Sequence, residues 1–130
     1  MSDERSAVDQ MLADARAEFE RVEPSDLAAE VDAGAVVVDI RPAENRAVEG
    51  SMPGAIVVER IHLEWRLDPT SPDCLDIATA DLRVIVVCNE GFSSTLAAQS
   101  LRRLGLTNAT DLVGGYRAWR ALDSGGINGP

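Results

Sequence analysis

The sequence contains no lysine; all 12 basic residues are arginine. That absence excludes Schiff-base catalysis and a phosphate-binding P-loop lysine. Histidine occurs once, at His62, and cysteine twice, at Cys74 and Cys88. No Cys/His spacing resembles a zinc site, so no metal is expected. Two cysteines at unrelated positions give no disulfide framework, which fits a reducing compartment. A G-x-G-x-x-G segment is also missing. No apolar run approaches the roughly 20 residues that span a bilayer. The opening residues Met1-Ser2-Asp3-Glu4-Arg5 lack the apolar core of a secretion signal. A cytoplasmic protein with no membrane association is therefore expected. The missing lysine, with abundant Ala, Val and Asp, hints at a GC-rich bacterial genome.

Positive charge is scarce overall. The formal net charge is −10. Residues 1–34 alone hold ten acidic residues against Arg5, Arg16 and Arg21. An acidic balance of this size argues against DNA or RNA as a partner, because phosphate binding needs a basic surface. The plainest reading of the acidic stretch is a solvated helical face.

What is present suits one α/β domain. The chain has 130 residues, 45% of them hydrophobic, enough for a single core. Val8, Met11, Leu12, Ala15 and Phe19 recur at helical spacing, so residues 4–21 are expected to form an amphipathic helix. Its apolar residues Val8, Leu12 and Phe19 are expected to pack on the domain. Ser25 can cap a second helix to about Val31. Ala35–Ile40, Ala55–Val58, Val84–Val87 and Thr110–Val113 read as strands. Helical segments are expected near residues 42–50, 61–67, 96–104 and 116–122, and residues 68–82 read as a surface loop. Tyr116, Trp119 and Leu122 share a helical face and read as core packing. The alternation implies a parallel sheet of about five strands with helices on both faces. Residues 1–22 form the helical N-terminal segment, 23–123 the domain proper and 124–130 a flexible Gly-rich tail.

Val84-Ile85-Val86-Val87-Cys88-Asn89-Glu90-Gly91-Phe92-Ser93-Ser94 carries the strongest functional signal. A buried strand runs into a cysteine, a glycine loop and a hydroxyl-rich helix start. The cysteine thus lies at the carboxyl end of a strand, where open α/β folds bind ligands. Loop amides from Asn89 to Ser94 can turn inward, Gly91 supplying the needed backbone freedom. Such a nest favours a thiolate, a persulfide or a bound oxyanion. Cys74 and His62 have no comparable setting.

The residues now match a family. Cys88 to Ser94 with Leu96, Ala97, Ala98 and Leu101 resembles the active-site loop and helix of single-domain rhodaneses. Asp111-Leu112-Val113-Gly114-Gly115-Tyr116-Arg117-Ala118-Trp119 resembles a later motif. Val38-Asp39-Ile40-Arg41 resembles the D-x-R segment, and Gly50-Ser51-Met52-Pro53-Gly54-Ala55 a G-H-I-P-G-A turn. These four stretches cover about residues 25–122. The resemblance implies a rhodanese-like domain without cofactor. Cys88 would be the nucleophile that takes a sulfane sulfur from a donor such as thiosulfate or a persulfide. Cyanide or a thiol, including a protein acceptor, would remove it. Asn89, Glu90, Gly91, Phe92, Ser93 and Ser94 would form the substrate loop. Asp39 and Arg41 would be structural, tying the first strand to nearby loops, with Glu44 a candidate ion-pair partner.

Several departures stand out. The loop has no basic residue, and Glu90 adds negative charge. Like charge should raise the Cys88 pKa and make thiosulfate a poor donor. Arg46 and Arg60 are candidates to supply the missing cation from outside. Ser51 replaces the usual histidine of the turn. A related phosphatase loop needs an arginine six positions after its cysteine; that position is Ser94. The remaining alternative is a non-catalytic rhodanese-like binding or regulatory module.

Overall fold

In the computed structural model, which describes residues 5–124, strands and helices alternate along the chain. The strands are β1 (Val36–Asp39), β2 (Ile56–Val57), β3 (Val84–Val87) and β4 (Thr110–Asp111). The helices are α1 (Ala7–Arg16), α2 (Leu27–Asp32), α3 (Ala43–Glu49), α4 (Leu63–Leu67), α5 (Ser93–Arg103) and α6 (Gly115–Ser124). All strand pairs are parallel and the sheet order is β2-β1-β3-β4. The expected fifth strand is reduced to a single parallel bridge between Val22 and Leu112, just beyond β4.

β3 is apolar at every position and fully buried. Its residues alternate between two cores, as the period of a strand requires. Val84 and Val86 face Leu63, Leu67, Ala97, Ala98 and Leu101 of α4 and α5. Ile85 and Val87 face Leu27, Leu112 and Tyr116 on the α2 and α6 side. Helices therefore cover both faces of the sheet, as expected. No helix among the described residues is long and apolar enough to cross a membrane.

The N-terminal segment departs from the expected single helix. Ser6 Oγ caps α1 by accepting from Asp9 N–H at 3.1 Å, and the helix ends at Arg16. The chain must leave the helix there to bring Val22 alongside Leu112. Val22 N–H donates to Asp111 O at 3.0 Å, and Val113 N–H to Val22 O at 2.9 Å. Leu12 and Ala15 are buried and Phe19 packs on the core. Val8 and Met11 are exposed, contrary to the packing expected of Val8. Nor does Ser25 cap α2; a 3-10 turn at Pro24–Asp26 precedes that helix instead. Residues 68–82 form no regular element. Tyr116 is buried and the Trp119 ring lies tilted beside it, ring centroids 5.8 Å apart. The expected tail at 124–130 lies, from residue 125 on, outside the described residues.

Leu101 of α5 is fully buried against the Val84 and Val86 side of β3. Leu101→Ala should lower stability by about 3 kcal/mol, because a fully buried leucine leaves a cavity. Urea unfolding measures this as a lower midpoint at unchanged slope.

Candidate active site

β1 and β3 are neighbours, but the chain leaves β1 outward to β2 and then returns on the other side to β3. This reversal opens a crevice at the carboxyl ends of β1 and β3, the usual ligand position in such sheets. A pocket of about 270 Å³ lies there. Ile40, Arg41, Pro42 and Asn45 line it from the β1 side, and Cys88, Asn89, Glu90, Phe92 and Ser93 from the β3 side.

The loop after β3 wraps around the Cys88 sulfur. Sγ accepts the backbone N–H of Gly91 at 3.2 Å and of Ser94 at 3.3 Å. Gly91 has φ +85°, which lets its amide turn inward. Ser94 lies in the first turn of α5, so the positive end of that helix also faces the sulfur. Burial pushes the Cys88 pKa up, but hydrogen bonds from Ser94, Ser93 and Gly91 outweigh it, and the thiol titrates below its ordinary value. The Ser94 hydroxyl has one proton, and it donates to Asp111 Oδ2 at 2.7 Å. The donors free to serve the sulfur are then the Gly91 and Ser94 amides and the Ser93 hydroxyl.

Inward amides force the loop carbonyls outward, where each needs a donor. Cys88 O accepts Tyr116 N–H at 2.7 Å and Asn89 O accepts Arg117 N–H at 3.0 Å. These donors come from the start of α6, which must approach the loop closely. Gly115 permits it: its φ is +65°, and an added Cβ would run into Cys88 O and lie 2.7 Å from Asn89 O. Gly91 O accepts Arg16 Nη2 at 2.8 Å and Arg21 Nη2 at 3.0 Å. Arg21 also grips Asp111 with Nε at 2.7 Å and Nη2 at 2.9 Å. Thr95 Oγ1 donates to the same carboxylate at 2.8 Å.

Asp39 and Arg41 form an ion pair at 2.8 Å, both side chains 1% exposed. Arg41 is paired with Asp39 rather than Glu44. It also donates to Gly50 O at 2.9 Å and Asn89 Oδ1 at 3.4 Å, and lies 3.9 Å over the Tyr116 ring. It thereby links β1, the turn at Gly50, α6 and the cysteine loop. Every buried side-chain N or O among the described residues has a partner.

The structure brings Cys88 and the loop residues together, with Arg41 beside them. It does not bring Arg46 or Arg60. Arg46 Nε donates to Arg41 O at 3.4 Å, Arg60 pairs with Glu64 at 2.8 Å, and neither lines the pocket. Glu90 is not the unpartnered negative charge expected beside the thiol. Its carboxylate points to Arg117 at 2.9 Å, and the Cys88 pKa falls rather than rises. Arg117 also bonds Glu49 at 2.7 Å. His62 is exposed and away from the pocket, and Cys74 Sγ donates to Pro69 O at 3.8 Å. Arg16, Arg21 and Asn45 were not singled out from sequence. An aspartate at the end of a buried strand, Asp111, was the available signal that a cationic partner must exist.

Two outcomes follow from this geometry. The pH dependence of Cys88 alkylation by iodoacetamide should have its midpoint below the roughly 8.5 of a free thiol, and Glu90→Gln should leave it in place. Gly115→Ala should cost roughly 2 kcal/mol or more in thermal stability and move that midpoint upward, since the α6 amides can no longer sit under the loop.

Comparison with known proteins agrees with this architecture. The rhodanese-like domain family model matches residues 23–122. A thiosulfate sulfurtransferase, GlpE, of Pseudomonas fluorescens is 36% identical over 103 residues, covering 79% of this chain and 86% of its own. The solved human single-domain sulfurtransferase TSTD1 superposes with TM-score 0.68 at 26% identity, over 79% of this chain and 96% of that one. A Rhodopseudomonas palustris protein, described as of unknown function and a possible tyrosine phosphatase, covers 95% of both chains with TM-score 0.81 and 30% identity. The matched span contains the β1 and β3 ends, the cysteine loop and the α6 glycines, and the chain belongs to the rhodanese-like domain family.

Proposed function

We propose that this chain is a sulfurtransferase in which Cys88 carries the sulfur. The observation that supports this most is the Cys88 Sγ cupped by the Gly91 and Ser94 amides at the floor of the pocket. Amides at this position stabilise a sulfur anion, and they serve a thiolate and a persulfide alike. In the first step the Cys88 thiolate attacks the outer sulfur of thiosulfate. A new S–S bond forms to Cys88, the bond to the sulfite group breaks, and sulfite leaves with the electron pair. In the second step cyanide or a thiolate attacks the terminal sulfur, and Cys88 departs as thiolate. No oxidant, metal or cofactor enters either step. Relatives named for thiosulfate support this donor.

Arg117 offsets part of the Glu90 charge beside the pocket while also serving Glu49. A phosphatase reading lacks its bidentate arginine, because the buried Ser94 occupies that position and bonds Asp111. A merely docking module would need no amides converging on the Cys88 sulfur.

Thiocyanate formation from thiosulfate and cyanide tests the proposal. Wild type should turn over, and Cys88→Ser should lose about a thousandfold or more. Equal rates in the two proteins, or no turnover with thiosulfate or any persulfide donor, would remove the proposal.

A further inference from the structure

The loop around Cys88 has no basic residue of its own, yet two guanidiniums stand directly behind it. Both come from the N-terminal segment, which precedes the family match. Arg21 is committed to Asp111 by two hydrogen bonds, 2.7 and 2.9 Å long. Arg16 is not committed to a carboxylate: among the described residues its acceptors are Gly91 O at 2.8 Å and Thr95 Oγ1 at 3.3 Å. Two cations against one buried carboxylate leave one positive charge behind the loop. Of the other charged groups near the loop, Arg41 is paired with Asp39, and Arg117 is shared between Glu90 and Glu49, which leaves one net negative charge on the solvent side of the site.

We propose that Arg16, delivered by α1, is the cation of the Cys88 site. It holds the Gly91 carbonyl turned away from the sulfur, which keeps the neighbouring Gly91 amide turned toward it. Its charge also offsets that of the sulfur anion. Residues 7–22 are then a working part of the site, with Arg16 a positioning residue and Arg21 the strut that ties it to Asp111. Burial and the neighbouring Arg21 lower the Arg16 pKa, while Asp111 and the Cys88 sulfur push it back up. Arg16 bonds the carbonyl of the same residue whose amide bonds the sulfur, and its guanidinium remains charged at any working pH. The substrate side of the inference rests on the sulfur-transfer reading; the thiol chemistry does not.

The test compares wild type, Arg16→Gln and Arg16→Lys in the full chain, each well below its own unfolding midpoint. The first readout is the pH midpoint of iodoacetamide alkylation at Cys88, with Cys74→Ser in every background so that one thiol reports. Arg16→Gln should raise the midpoint by about one pH unit, and Arg16→Lys should recover at least half of that shift. The second readout is the rate of persulfide formation from thiosulfate, which should fall about tenfold in Arg16→Gln. An unchanged midpoint in Arg16→Gln overturns the inference. So does a raised midpoint that Arg16→Lys leaves uncorrected, because the shift then comes from packing rather than charge. If wild type forms no persulfide while the midpoints still differ as stated, the sulfur-transfer reading fails and the role of Arg16 stands.

Discussion

A carboxylate removed from water must be met by donors on all sides, and Asp111 imposes that demand on the rest of the structure. It is fully buried at the end of β4. Arg21, Ser94 and Thr95 together give it four hydrogen bonds. Those partners lie in two parts of the chain, the N-terminal segment and the first turn of α5, and Asp111 ties both to β4. Removing one partner of such a group costs several kcal/mol, because a charge is left buried and uncompensated. The bonds from Ser94 and Thr95 fix the first turn of α5 against β4, and the Ser94 amide is thereby aimed at the Cys88 sulfur. A structural interaction and the site's chemistry meet at Ser94.

The sulfur's environment is paid for by the backbone around it. A loop whose amides converge on one atom must send its carbonyls elsewhere. Three different neighbours receive them: the Tyr116 amide takes Cys88 O, the Arg117 amide takes Asn89 O, and the N-terminal arginines take Gly91 O. Close approach of α6 requires Gly115, and convergence of the amides requires Gly91. Arg41 then braces the opposite wall through Asp39, Asn89 and Tyr116. The pocket floor is held from behind and from both sides, which leaves its open face for a small donor and acceptor.

The strand, loop and helix start at Val84–Thr95 are readable in sequence because their signals are local: a β-branched run, a cysteine, a glycine and three hydroxyls in a row. The two-faced sheet followed from the same local alternation of strands and helices. Charge placement was not readable in the same way. Glu90 looked harmful to a thiolate because its partner, Arg117, is 27 residues away and meets it only through the α6 turn. Arg46 and Arg60 looked available, but each finds an acceptor within five residues of itself. Arg16 and Arg21 lie within an acidic stretch that reads as a solvated face. Long-range pairing decides which charge reaches the sulfur, and periodicity contains no record of it. The N-terminal helix ended early for the same reason: the bridge from Val22 to Leu112 overrides the helical pattern beyond Arg16.

The central claim is that Cys88 holds a transferable sulfur in this loop. Intact-protein mass spectrometry after brief treatment with thiosulfate, followed by cyanide, tests it most directly. The account predicts a gain of one sulfur atom located on Cys88 by peptide mapping, then its complete loss on adding cyanide. A mass that never changes, or a sulfur found on Cys74 instead, would contradict it.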